Sequence, residues 1–269
     1  MWPGHWARDG HGMTNLTDTT MYTVPVLEPV RRPRALRRVA ITASGILACA
    51  IPVVFTVTIS VMLLTGTESS HRFHQLTGQG LILTSLWLGG LVPLLRAGWA
   101  GRRPSSAAGL LHLSFVLAGI LCAVVTPGGG APMLMVVIAV PGALVWLSIP
   151  QRPRLRLPVR VHPLLTPLAL GAVAALTPYV LDQIALQDAA TGYHADNPHH
   201  FDMAWLVCVL LASTVLGALL PAVRRLVVVG GAGLAALGTA GVALGADFPW
   251  TPVALASGAA LILASRVRR

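Results

Sequence analysis

The chain of 269 residues is 55% hydrophobic and only 10% charged, where a soluble domain carries about a quarter charged residues, so a water-soluble globular domain is excluded. Its hydrophobic residues come in runs of about 17 to 26 without alternation, which suits helices crossing a bilayer core and excludes a membrane β-barrel. The net charge of +10 comes from arginine, without lysine, in short clusters between the apolar runs rather than along one face of a soluble domain, which excludes a nucleic-acid-binding module.

Residues 1–38 are polar and lack the apolar core of a signal peptide. They read as a disordered cytoplasmic tail with sparse Trp2, His5, Trp6 and His11, and Met13 and Met21 are alternative starts to Met1. Arg31, Arg32, Arg34, Arg37 and Arg38 close that tail as a basic collar. Eight spans are then predicted, at 39–64, 76–95, 107–125, 133–149, 163–186, 203–220, 226–246 and 250–265. Pro52 and Pro178 should kink spans 1 and 5, and Pro141 span 4. In span 7, Gly230, Gly231, Gly233, Gly238, Gly241 and Gly245 form a small-residue face, the last two at GxxxG spacing, which favours close helix contact. Cys49, Cys122 and Cys208 fall in three separate spans and read as small buried hydrophobes, not as a disulfide framework or zinc site. His112 in span 3 reads as a packing or hydrogen-bonding residue, His162 as interfacial, and Gly128-Gly129-Gly130 as an outer turn.

The loops set the orientation. Arg96, Arg102 and Arg103 follow span 2; Arg152, Arg154, Arg156 and Arg160 follow span 4; Arg224 and Arg225 follow span 6; Arg266, Arg268 and Arg269 follow span 8. With the N-terminal collar these share one side, and only Arg72 falls on the other. The positive-inside rule therefore places both termini in the cytoplasm of a plasma-membrane protein.

The chain also repeats itself. Adding 126 converts Gly45, Ala48, Pro52 and Thr65-Gly66 into Gly171, Ala174, Pro178 and Thr191-Gly192. Adding 128 converts Phe73, Leu83, Ser85, Gly89, Pro93 and Arg96 into Phe201, Leu211, Ser213, Gly217, Pro221 and Arg224. These anchors imply duplication of a four-span unit: residues 39–150, an arginine-rich linker at 151–162, then residues 163–269. An even number of spans per unit makes the two repeats parallel. The expected fold is all-α, with eight transmembrane helices as two parallel four-helix repeats.

The outer loops carry the chemistry. The loop before span 2 holds Glu68, His71, His74 and Gln75; the loop before span 6 holds His194, Asp196, His199, His200 and Asp202. As equivalent places in the repeat they should meet near the pseudo-axis. Imidazole with carboxylate suits zinc, copper or iron. His71, His74, His199 and His200 are the candidate cofactor ligands, with His194, Glu68 and Asp202 as further metal or acid groups. His71, Gln75 and Gln79 are spaced to line one helix face. Asp182 and Gln183, near the outer end of span 5, are candidates for a buried polar pathway. There is no phosphate-binding glycine loop, no HExxH, no G-x-S-x-G and no row of charges crossing the bilayer.

At Glu68-Ser69-Ser70-His71-Arg72 the chain resembles the haem A synthase family, which opens its second span with E-x-x-H-R. That resemblance implies eight spans in two parallel halves, cytoplasmic termini, His71 as a haem ligand and Glu68 as an acidic catalytic group. His199 or His200 would match the corresponding histidine of the second half. The family's ligand histidines on spans 4 and 8 and its outer cysteine pair are missing; Met133 and Met135 are the nearest iron-binding substitutes on span 4. The stretch Ser85-Leu86-Trp87-Leu88-Gly89-Gly90-Leu91 also looks like the W-x-G-G-L span of CopD-type copper-resistance membrane proteins. Three functions follow as expectations: haem or transition-metal handling at the outer histidines, a small-solute carrier with its pathway at the repeat interface, or a non-catalytic accessory subunit. The expected partners are the lipid bilayer and either other membrane proteins or further copies of the chain.

Overall fold

The computed structural model describes residues 34–67, 69–126 and 131–267. The N-terminal tail with Met13 and Met21, Glu68, and the Gly128–Gly130 turn lie outside the described residues, as do the side chains of Met133 and Met135. Among the described residues all regular structure is helical, with no strand. The helices are α1 (Arg34–Thr65), α2 (Arg72–Leu76), α3 (Leu81–Trp99), α4 (Ser106–Val125), α5 (Ala131–Ser148), α6 (Leu165–Asp188), α7 (Tyr193–Asp196), α8 (His199–Leu219), α9 (Arg225–Leu244) and α10 (Trp250–Arg266). Each predicted apolar run coincides with one long helix. Six of these are long and apolar enough to cross a membrane: α1, α3, α4, α6, α8 and α9. The other two, α5 and α10, have 18 and 17 residues.

Local chemistry sets several ends. Ser105 caps α4 by accepting the Ala108 N–H at 3.2 Å. His162 does the same for α6, its Nδ1 accepting from the Leu164 and Leu165 N–H groups at 3.3 and 3.2 Å. Helices α1, α3, α5 and α6 run on through Pro52, Pro93, Pro141 and Pro178; the Thr56 hydroxyl donates to the Pro52 carbonyl at 2.6 Å.

The long helices close into two rings. In the first, α1 packs on α3 and α5, and α4 packs on the same two; in the second, α6 packs on α8 and α10, and α9 packs on the same two. The rings meet chiefly along α4 and α8. Their seam is aromatic: Phe115 and Trp205 lie 4.4 Å apart between centroids, and Trp87 and Phe115 5.0 Å. The Trp205 indole donates to the Phe115 carbonyl at 2.8 Å, so the seam's largest side chain has its polar atom satisfied. At the arginine-bearing end, Arg225 donates to Ser105 Oγ at 2.7 Å and the Arg160 N–H to the Leu219 carbonyl at 2.8 Å.

The outside of the rings is apolar: Ile46, Val54, Val57 and Val61 of α1 are all more than half exposed. Such a surface needs hydrocarbon as its solvent.

The glycines of α9 are spacers. A Cβ on Gly230 would meet the Leu210 carbonyl oxygen of α8 at 2.7 Å, and one on Gly238 the Leu255 nitrogen of α10 at 2.4 Å. Gly245 differs from the expectation. It sits at φ 65° as the left-handed C-cap of α9, with nothing within 4 Å of its Cβ position, so its spacing from Gly241 serves helix termination rather than packing. Gly90 of the Trp-Gly-Gly stretch lies against the His112 backbone, where a Cβ would stand 2.9 Å from its nitrogen. His112 is buried and accepts the Trp146 indole N–H at Nδ1, 3.1 Å away.

Cys122 of α4 and Cys208 of α8 face each other across the ring seam with their sulfurs 3.9 Å apart. A disulfide needs about 2 Å, so a side chain must turn to close it. Treatment with iodine should therefore join these two thiols, with the two electrons passing to iodine, and leave Cys49 free. Maleimide counting on the unfolded chain should fall from three thiols to one, and Cys208→Ser should abolish the loss. Retention of all three reactive thiols would contradict the α4–α8 seam.

Candidate functional site

Two short polar segments, one leading into each ring's second helix, form the site. The first runs from the 3-10 turn Ser69–His71 through α2; the second comprises α7 and the start of α8. Both segments are tied down from inside the rings. The Thr77 hydroxyl donates to the Phe73 carbonyl at 2.6 Å and reaches Met203 Sδ at 3.1 Å, stitching the first segment to α8. Phe73 and Phe201 are both buried beneath the segments that carry them.

The result is a five-histidine cluster. Ring centroids are 5.2 Å apart for His71 and His199, 5.5 Å for His74 and His199, and 5.2 Å for His194 and His199. His74 and His200 are 6.1 Å apart, and His194 and His200 6.0 Å. His199 is central and buried, His71, His74 and His200 are half-buried, and His194 is exposed. His71 and His199 stand 128 residues apart in the chain, and their rings are tilted by 44° to each other.

The spacing bears on metal binding. With a metal–nitrogen bond of about 2 Å, two imidazoles on one ion have centroids roughly 5–6 Å apart, and the pairs that His199 makes with His71, His74 and His194 fall in that range. Their nitrogens are not yet aimed at a common point: among the described residues no group of three or more His, Cys, Asp or Glu side chains stands ready to hold an ion. The rings are gathered, and ring rotation is needed to converge their nitrogens. The buried Nδ1 of His74 has no hydrogen-bond partner among the described residues, so its rotation breaks no bond there.

Second-row groups already orient part of the cluster. Gln183 Oε1 lies 2.8 Å from His200 Nδ1. An amide oxygen only accepts, so the imidazole donates from Nδ1, which leaves the lone pair on Nε2 for a ligand. Gln187 accepts the Phe201 N–H at 3.2 Å and donates to the His194 carbonyl at 3.0 Å, bracing both ends of the second segment. Tyr179 donates to the Asp247 carboxylate at 2.6 Å, and that carboxylate acts electrostatically on His200. Gln75 is buried and donates to the Thr67 carbonyl at 3.3 Å. Gln187, Tyr179 and Asp247 are the parts of the site that sequence reasoning missed. Gln187 lies four residues after Gln183, one turn along the same face, which is the signal that could have found it.

Other candidates lie elsewhere. Asp202 and Gln79 line a cavity of about 350 Å³ in the first ring, beside the cluster, with Trp87, Trp205 and Phe55 among its walls. Asp182 is exposed on α6, one residue before buried Gln183 and turned away from it about the helix axis. Glu68 lies outside the described residues. The residues lining the cavity include no histidine, methionine, cysteine or tyrosine, so the cavity itself offers haem no axial ligand.

No protein-family model, curated protein or solved structure matches the chain.

Proposed function

We propose that this is an eight-span plasma-membrane protein, two parallel four-helix repeats with cytoplasmic termini, that captures a transition-metal ion at its outer face. The observation that carries the reading is the gathering of five imidazoles from two loops into one patch at 5–6 Å ring spacing. Two like-placed loops, one per ring, supply them, which is the arrangement a duplicated unit would give. Neutral imidazole is a ligand for zinc and copper. Exposed His194 and half-buried His71 lie at the rim of the patch, around buried His199. Gln183 holds the tautomer of His200 that presents Nε2 outward. The resemblance of the Trp87-Gly89-Gly90 stretch to copper-resistance membrane proteins points the same way.

Arginine loops on one end and histidine loops on the other support the orientation. The eight-span count follows if α5 and α10 cross with the rest, since each closes a ring whose other three members are long enough to span.

The test is metal analysis of the purified chain after equilibration with Cu²⁺ or Zn²⁺ and desalting. About one ion per chain is expected, with no Soret band. Sub-stoichiometric metal after saturation would end this reading, and a Soret band would replace it with a haem site.

A further inference from the structure

The cavity beside the histidines carries a second, separate inference. Its walls come from four helices and two loops: Phe55 of α1, Trp87 of α3, Val137 of α5, and Asp202 and Trp205 of α8, roofed by Gly78-Gln79 and Asp196-Asn197-Pro198. At about 350 Å³ it has the size of a small-molecule site, and its walls have the usual mix of apolar and aromatic surface with few polar groups. The one carboxylate set deep in it belongs to Asp202, which is 6% exposed. That side chain has no hydrogen-bond or ion-pair partner among the described residues. A buried carboxylate without a partner is costly, and a cation beside it removes the cost. Trp87 and Trp205 stand 6.3 Å apart, and the Trp205 indole N–H is committed to the Phe115 carbonyl, so these side chains offer the cavity apolar and π surface. Gln79 and Asn197 add amide oxygens at the roof.

A metal ion fits this place poorly. It needs several donor atoms close together, and a cavity of this volume walled by indole and aliphatic carbon leaves most of the space unused. An organic cation uses all of it: the carboxylate takes the charged head, indole faces favour a cation, and the apolar walls take the body. Phe55 of α1 and Val137 of α5, which line the cavity, are exposed by 39% and 38%, so this wall is not sealed by protein.

We infer that the Asp202 cavity is a binding site for a small amphipathic amine, with an ammonium head on the Asp202 carboxylate and an aryl or short alkyl body between Trp87, Trp205 and Phe55. This stands apart from the metal reading, because the histidines take no part in it.

The test is calorimetric titration of the full chain in lipid nanodiscs with phenethylamine and its neutral counterpart 2-phenylethanol, empty nanodiscs being subtracted. Saturable one-to-one amine binding is expected. The alcohol, and the amine on Asp202→Asn, should each bind at least about tenfold more weakly. Leu83→Phe, which grows a ring into the same space, should abolish binding while leaving Asp202 in place. If Asp202→Asn fails to fold, the amine-to-alcohol ratio on the wild type and the Leu83→Phe loss decide the matter. Absence of saturable amine binding, equal binding of the alcohol, or an Asp202→Asn chain that binds amine like the wild type overturns the inference. So does loss of the metal ion in Asp202→Asn with amine binding intact, which would return Asp202 to the histidine site.

Discussion

Replacing His74 and His199 together by asparagine should lower the metal affinity of the chain by at least about a hundredfold, since even outer-shell changes cost roughly 10–100-fold at metal sites. These two rings are the most closely stacked pair of the cluster, at 5.5 Å and 27°, and between them they touch every other histidine in it. Asparagine keeps polarity and roughly the volume, so the loss should not come from collapse of the segment. Two controls separate ligation from folding. His112→Asn removes a histidine that is hydrogen-bonded to Trp146 in the body of α4 and should leave metal binding unchanged. Asp182→Asn changes an exposed side chain of α6 and should do the same. The pH dependence has a fixed sign: an imidazole binds metal only when neutral, and burial lowers the pKa of His74 and His199 to about 4, so affinity should hold below neutral pH and fall as pH drops toward about 4, where protons compete for these nitrogens. Equilibrium dialysis with metal analysis at pH 7.5 and at about pH 4, where these two imidazoles take up protons, reads both effects. A double variant that binds like the wild type at both pH values would leave the cluster without its proposed role.

The parts of this molecule that were readable in the sequence are those set by one dimension. Apolar runs bounded by arginine or histidine loops map onto helices because a span must satisfy its backbone within itself, whatever surrounds it. The predicted span 107–125 and helix α4 at Ser106–Val125 differ by one residue at one end. The histidines were readable as a group because loops at one end of a bundle have few places to go. What was not readable depends on how far each helix is turned about its own axis. Asp202 sits three residues after His199 and was expected among the ligands, yet it opens into the cavity of the first ring. Asp182 and Gln183 are neighbours in the chain, but about 100° apart on a helix, so Gln183 meets His200 while Asp182 is exposed on α6. Asp247 was hidden for another reason: it lies in the short α9–α10 turn, far in sequence from every histidine, and reaches the site only because the second ring closes. The glycines of α9 show the same limit. Spacing alone did not separate Gly241, which packs on Thr251, from Gly245, which ends the helix.

The second ring depends on those glycines, and Gly238→Val or Gly258→Val should be among the most destabilising single changes in its helices. A Cβ on Gly258 would stand 2.4 Å from both the Ala235 nitrogen and the Gly231 carbonyl oxygen, and one on Gly238 2.4 Å from the Leu255 nitrogen. These are backbone atoms, which cannot swing aside as a side-chain tip can, so α9 and α10 must separate. Separation forfeits the close contact that holds helices together in lipid, where burial itself gives no drive to associate. Overpacking a well-filled core costs about 1–3 kcal/mol even where side chains can yield, so these two sites should exceed that. Gly171 of α6 is the counterpart: nothing lies within 4 Å of its Cβ position, and Gly171→Ala should be neutral or stabilise by up to about 1 kcal/mol through helix propensity. Thermal unfolding in detergent, followed by the monodisperse fraction on size exclusion, should place Gly171→Ala at or above the wild type and the two valine variants well below it. Metal binding should fall with them, because α10 holds α6 and α9 together and α6 carries Gln183 and Gln187 to the histidines. A Gly258→Val chain as stable as the wild type would mean that α9 and α10 do not pack through this seam.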